Sequence, residues 1–123
     1  MQHRTFGLLV GSLSLALLAP PHSSAEPKHA QPLTGALAFH RDSGSFGFAM
    51  NAATPRIAKT DALAQCGHPR CEVVANLRND CGAVANGPKR FLVARGATRQ
   101  EAETKALRLC GEGCAIAGWG CTR

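Results

Sequence analysis

The chain repeats itself at a fixed offset. Thr54, Ala58, Ala62, Leu63 and Cys66 recur 44 residues later as Thr98, Ala102, Ala106, Leu107 and Cys110, and a further cysteine follows each set, Cys71 or Cys114. A spacing that holds over five positions demands the same local structure twice. In each copy a small-residue stripe runs at helical spacing, with Ala58, Ala62 and Cys66 in the first and Ala102, Ala106 and Cys110 in the second, and Leu63 and Leu107 one residue around. Thr98 with Glu101 forms a Thr-x-x-Glu capping box, while Thr54 caps a helix whose next residue, Pro55, needs no N–H. Gly67 and Gly111 each follow the last stripe residue, where helices stop.

Strands flank each helix. Leu37 and Phe39 alternate with Ala36, Ala38 and His40, which predicts a half-buried strand. Asp42-Ser43-Gly44 is turn chemistry, and Phe46, Phe48 and Met50 share one face of the returning strand. In the second copy Val84 lies between Ala83 and Ala85, Asn86-Gly87-Pro88 turns the chain, and Phe91 and Val93 alternate on the return. Beyond each helix lies an apolar strand, Val73-Val74-Ala75 or Ala115-Ile116-Ala117. The expected fold is α+β, with two β-β-α-β repeat units at about 35–78 and 81–121. They form an antiparallel or mixed sheet with two helices packed on it, stapled by disulfides.

The beginning of the chain reads differently. A short basic start, an apolar run from Phe6 to Leu18, Pro20-Pro21 and the small residues Ser23-Ser24-Ala25 make residues 1–25 a signal peptide. The apolar run is short for a membrane span, none follows it, and no cysteine near the cleavage region offers a lipid-anchoring site. Residues 26–34, with Pro27, Lys28, His29 and Pro32, form a polar tether, leaving residues 35–123 as one domain. The expected location is the periplasm or the cell exterior.

An exported domain of this size has a thin core. Phe39, Phe46, Phe48, Phe91 and Trp119 are its only aromatics. All six cysteines lie in it, and in an oxidising compartment an even number means disulfides first. The repeat favours one local clip per unit, Cys66–Cys71 and Cys110–Cys114, leaving Cys81 for Cys121. A pairing across the units, Cys66 with Cys110 or Cys114, is the competitor. Zinc held by these cysteines and His68 fits poorly, because the pairs have four and three intervening residues and thiols oxidise outside the cytoplasm. No metal and no cofactor is expected.

The same residues carry a family resemblance. Gly35-Ala36-Leu37-Ala38, Asp42-Ser43-Gly44, Phe46-Gly47, Ala62-Leu63-x-x-Cys66, Cys71-Glu72-Val73-Val74-Ala75, Cys81-Gly82-Ala83-Val84-Ala85 and Ala106-Leu107-x-x-Cys110 with Cys114 are in the right order and spacing. Over about residues 35–121 the chain resembles the domain of unknown function 4189 family. That resemblance implies a small exported bacterial protein with disulfides, and it supplies no catalytic residues. Where many members have aromatics in the second hairpin, this chain has Phe91-Leu92-Val93.

Chemistry is sparse. His40, Asp42, Ser43 and Ser45 lie together but lack a Gly-x-Ser-x-Gly elbow, and alternation sends His40 to solvent. Glu72 has no second carboxylate at a readable spacing for glycoside hydrolysis. No catalytic residue is assigned. Without Arg4 the exported part has 13 Lys and Arg against 8 Asp and Glu, a net charge of +5. Lys89, Arg90, Arg95, Arg99 and Arg108 fall in the second hairpin and helix, where they could meet an anionic surface, although a solvated basic face is the plainer reading. Stacking aromatics for nucleic acid are missing. Trp119, between Gly118 and Gly120, is read as packing against a disulfide, with recognition as its other role. The binding candidates are thus Lys89, Arg90, Arg95 and Trp119. The favoured function is a non-enzymatic protein-binding or inhibitory module of the immunity type, whose partner is a protein such as a secreted toxin or an envelope hydrolase. The alternatives are a factor that binds anionic envelope or host surfaces, and a hydrolase.

Overall fold

In the computed structural model, residues 33–122 are described, together with 11 and 18–21. Apart from residues 11 and 18–21, the signal-peptide reading and the tether up to residue 32 rest on residues outside that description. None of the described helices is long and apolar enough to cross a membrane.

The element order is β1 (Thr34–His40), β2 (Ser45–Ala52), α1 (Pro55–Cys66), β3 (Glu72–Arg78), β4 (Cys81–Asn86), β5 (Phe91–Gly96), α2 (Arg99–Cys110) and β6 (Ala115–Cys121). This is the α+β fold of two β-β-α-β units. The units do not share a sheet, however. Each closes its own three-stranded antiparallel sheet, in the orders β2-β1-β3 and β5-β4-β6.

Three clusters of buried side chains separate four layers. Ala36 and Ala38 of β1 pack with Ala58, Ala62 and Cys66 of α1 on one outer side. Ala83 and Ala85 of β4 pack with Ala102, Ala106 and Cys110 of α2 on the other. Between them Leu37, Phe39, Leu77 and Val84 join the two sheets face to face, with Phe46, Phe48, Phe91 and Val93 around them. The molecule is a helix–sheet–sheet–helix sandwich. Its central strands β1 and β4 are consequently buried on both faces, so the half-buried expectation for β1 is corrected. Alanine alternating with leucine and phenylalanine looks like a wet face, yet a closely packed helix covers it.

The helices follow their local signals. Thr54 Oγ1 accepts from Ile57 N–H and Thr98 Oγ1 from Glu101 N–H, both at 3.2 Å. Glu101 Oε2 reaches back to Ala97 N–H at 3.2 Å, one residue before the usual capping-box donor. Gly67 ends α1 in the left-handed region at φ 68°, with its N–H bonded to the Leu63 carbonyl. Leu63 and Leu107, expected on the stripe, are instead exposed at its margin. The buried residues of each helix are small, and α1 lies so near β2 that a Cβ on Gly47 would be 2.2 Å from the Ala62 carbonyl oxygen.

Sheet edges are guarded. Gln65 of α1 accepts from the outward Phe48 N–H of β2, and Lys105 of α2 donates to the Arg95 carbonyl of β5 at 2.9 Å. The other two edge strands each carry a bulge in the same place, at Val74 in β3 and Ala117 in β6. Bulges and covering side chains both hinder edge-to-edge pairing.

Candidate functional site

Because the units run in the same direction, their four loops meet at one end of the sandwich: the turn 41–44, the loop 67–71, the turn 87–90 and the loop 111–114. Arg41 ties the two hairpin turns together, donating to the carbonyls of Gly87 (3.4 Å) and Pro88 (3.1 Å). Cys66–Cys71 clips one helix-to-strand loop and Cys110–Cys114 the other. Arg90 Nε donates to the Cys110 carbonyl at 3.0 Å, fastening the second hairpin to the C-terminal end of α2. Gly87 leaves room for the second clip, since a Cβ there would lie 2.5 Å from Cys114 Sγ. At the opposite end Cys81–Cys121 joins β4 to β6 with Cα atoms 4.0 Å apart. Thr122 bonds there to both units, accepting from Asn51 N–H and donating to the Asp80 carbonyl.

The basic candidates fare unequally. Arg90 serves the helix end, and Arg95 pairs with Asp80, whose other oxygen takes Arg78 N–H. Arg99 pairs with Glu103 at 2.8 Å and lies over the Trp119 ring at 4.0 Å. Lys89 stands exposed in the second turn and Arg108 on the outside of α2. All five are exposed, and three of them, Arg90, Arg95 and Arg99, also hold partners within the chain. Trp119 is half-buried on the cluster that holds Cys81 and Cys121, and its ring also edges a concavity of about 270 Å³ with Phe46, Phe48, Met50 and Gly118. Met50, expected to share the core face of β2, is 47% exposed there.

One cluster at the loop end breaks the repeat. His40 does not point freely to solvent. It stacks on His68, with ring centroids 4.0 Å apart and planes 8° from parallel. Its Nδ1 lies 2.7 Å from Ser43 Oγ and accepts Ser43 N–H at 3.3 Å, and Ser43 Oγ donates onward to Ser45 Oγ at 2.8 Å. His68 Nδ1 accepts Arg70 N–H at 3.0 Å. At the 44-residue offset the counterpart of His68 is Glu112. Ser43 and His40 do touch, but their bonds close a turn, and the imidazole rests on a second ring rather than on an orienting carboxylate. A shared metal does not suit the pair either. Imidazole lone pairs lie in the ring plane, so two parallel rings cannot aim at one ion, and no group of three His, Cys, Asp or Glu suited to a metal occurs among the described residues.

The family model described as "Domain of unknown function (DUF4189)" matches residues 34–121, the whole sandwich. The chain belongs to the DUF4189 family. Among solved structures, the NMR structure of Rv1813c from Mycobacterium tuberculosis is 30% identical, with 98% of this chain and 99% of that one covered and a TM-score of 0.57. No curated protein matches the chain.

The sequence did not single out Arg41 or the stacking of His68 in this DUF4189 domain. Nothing local marks Arg41, whose acceptors lie 46 and 47 residues away. For His68 the readable signal was a break in the repeat, an imidazole in one copy and a carboxylate in the other.

Proposed function

We propose that this domain is an exported, non-enzymatic binding module that engages a protein partner through its loop end. The observation that carries this reading is the convergence of four loops held by two disulfides and by the bonds of Arg41 and Arg90. A surface ordered before contact loses little conformational freedom on binding, which favours tight association. Three disulfides and the absence of a membrane-spanning helix among the described residues fit a protein working outside the cytoplasm. A secreted toxin or an envelope hydrolase is the partner class that such a rigid inhibitory surface would suit.

The test is affinity capture from envelope extract on three immobilised proteins: the natural chain, a loop-end variant (Arg70→Glu with Lys89→Glu) and a variant at the other end (Arg56→Glu). A stoichiometric protein retained by the first and third but lost by the second is expected. Equal retention by all three would remove the loop end from the reading, and no retained protein would remove the partner. If anionic lipid vesicles are bound instead, with release at roughly 0.5 M salt where the Debye length is about 4 Å, the domain is a surface-binding factor.

A further inference from the structure

We propose that the groove between β3 and β5 receives an extended acidic segment of a partner protein, which adds to β5 as a further strand. This surface lies along the side of the sandwich, so the inference goes beyond the loop-end reading and does not depend on it.

The two sides of the sandwich are equivalent in the repeat but are filled differently. Leu37 of β1 is flanked by Phe48 and Ala75, and Val84 of β4 by Val93 and Gly118. Stacking the sheets puts β2 on β6 at one side and β5 opposite β3 at the other. On the first side the Phe46 ring sits so close that a Cβ on Gly118 would meet it at 2.4 Å, and a concavity of about 270 Å³ is left. On the second side Val93 stands where the other copy has Phe48, and β5 and β3 make no comparable contact. A groove of about 570 Å³ remains.

Apolar walls and a strand edge meet in it. Val74 and Val93 line the groove from the two sheets, and Leu109, 47% exposed, lines it from α2. The edge belongs to β5, which pairs only with β4. The Arg95 carbonyl turns away from β4 to take Lys105 Nζ at 2.9 Å, and the β4–β5 register has no shift. Backbone groups alternate in an antiparallel pair, so Val93, two residues earlier, also presents its N–H and C=O outward. An extended chain laid there would bond to Val93, with alternate side chains directed toward β3 and toward α2.

Charge selects the occupant. Among the described residues the charged ones lining the groove are Arg95 and Lys105, with no carboxylate. Arg95 is already paired with Asp80, whereas Lys105 is held by a carbonyl and keeps its charge uncompensated. Lys105 guards the edge, because it occupies the carbonyl that an incoming strand would use. A strand that brings a carboxylate to the α2 side draws Lys105 off that carbonyl and frees it for its own N–H. A strand with a cation there meets like charge and leaves the guard in place. Asn76, Arg95, Lys105 and the strand edge also make the lining too polar for an acyl chain, which offers them no hydrogen bonds.

Selection from a displayed random library of peptides about seven residues long, the span of an ordinary strand, tests this on the oxidised chain. Recovered peptides should carry a central Asp or Glu among β-branched or apolar residues. A synthetic copy should shift the Val93 and Arg95 amides in NMR. Lys105→Glu should reverse the choice, so that peptides with Lys or Arg at that position are recovered, an outcome that unfolding could not produce. Val93→Pro removes the outward N–H without touching the bonds to β4 and should weaken the acidic peptide about tenfold. Arg70→Glu with Lys89→Glu, at the loop end, should change its affinity less than about twofold at physiological salt, where charges beyond about 8 Å are screened. That last variant keeps this surface distinct from the loop-end reading. The inference is overturned if the recovered peptides show no acidic preference, if Lys105→Glu selects the same peptides, or if the shifts fall elsewhere. Recovery of no peptide would overturn it too, and shifts of Val74 and Val93 with a fatty acid would then give the groove to an acyl chain.

Discussion

At Gly47 a missing side chain sets how near a helix can come to a sheet. A Cβ there would meet the Ala62 carbonyl oxygen at 2.2 Å and the Cys66 nitrogen at 2.3 Å, both backbone atoms that cannot rotate aside. Gly47→Ala must therefore push α1 outward, and we expect a loss of about 1–3 kcal/mol in urea unfolding, as overpacked cores show. Gly44 provides the contrast. A Cβ on it meets nothing within 4 Å, but its φ is +70°, so Gly44→Ala should cost only about 1 kcal/mol, from the backbone alone. A Gly47→Ala protein no less stable than Gly44→Ala would mean that α1 is free to shift. Residue-scale reading of the sequence was good where the signal is local, as at Thr54, Thr98 and Gly67. It failed for His40, because alternation along β1 says which face a side chain takes but not what covers that face.

The helices are the elements whose bounds the sequence placed best. Caps, stripe and stop signal all lie within a dozen residues, and no distant contact is needed to read them. Thr98→Ala removes the acceptor for Glu101 N–H and should destabilise the protein by about 1 kcal/mol. Glu101→Ala removes the reciprocal bond to Ala97 N–H, and a double-mutant cycle should give a coupling of roughly 0.5 kcal/mol or more if the two act as one cap. Strict additivity would show two independent bonds. The strands were found as elements but misjudged as surfaces. Alanine at positions 36, 38, 83 and 85 is compatible with a wet face or a helix-covered one, and only the helix's place decides between them. The bulges at Val74 and Ala117 left no mark in the pattern, since they arise from pairing with β1 and β4.

Across the whole molecule the three disulfides act over different ranges. The clips close loops with sequence separations of 5 and 4, whereas Cys81–Cys121 spans 40 residues and joins the two outer ends of the second unit. On the loop-entropy account, replacing Cys81 and Cys121 by Ala should cost roughly 4 kcal/mol, and replacing Cys110 and Cys114 roughly 2 kcal/mol. Thermal unfolding of the two variants measures the difference, and equal losses would contradict the entropic account. The clip variant should also loosen the 111–114 loop selectively, visible as faster amide exchange there with β4 unchanged. The partner-capture experiment belongs to this scale as well, since it concerns loops from different parts of the chain brought to one end.

By itself the sequence determined the repeat, the order of strands and helices, the helix caps and the even set of cysteines. These depend on contacts within one unit, between residues a few positions apart, and the repeat states them twice. Only the tertiary structure decided that the units pair sheet against sheet with a helix outside each. Leu37, Phe39 and Val84 must leave water on the side their alanine neighbours do not use, and another unit's sheet is what covers them. That stacking brings the four loops together and lets Arg41 reach a turn 46 residues away. A periodic pattern cannot report it, because the energy lies between surfaces that are far apart along the chain.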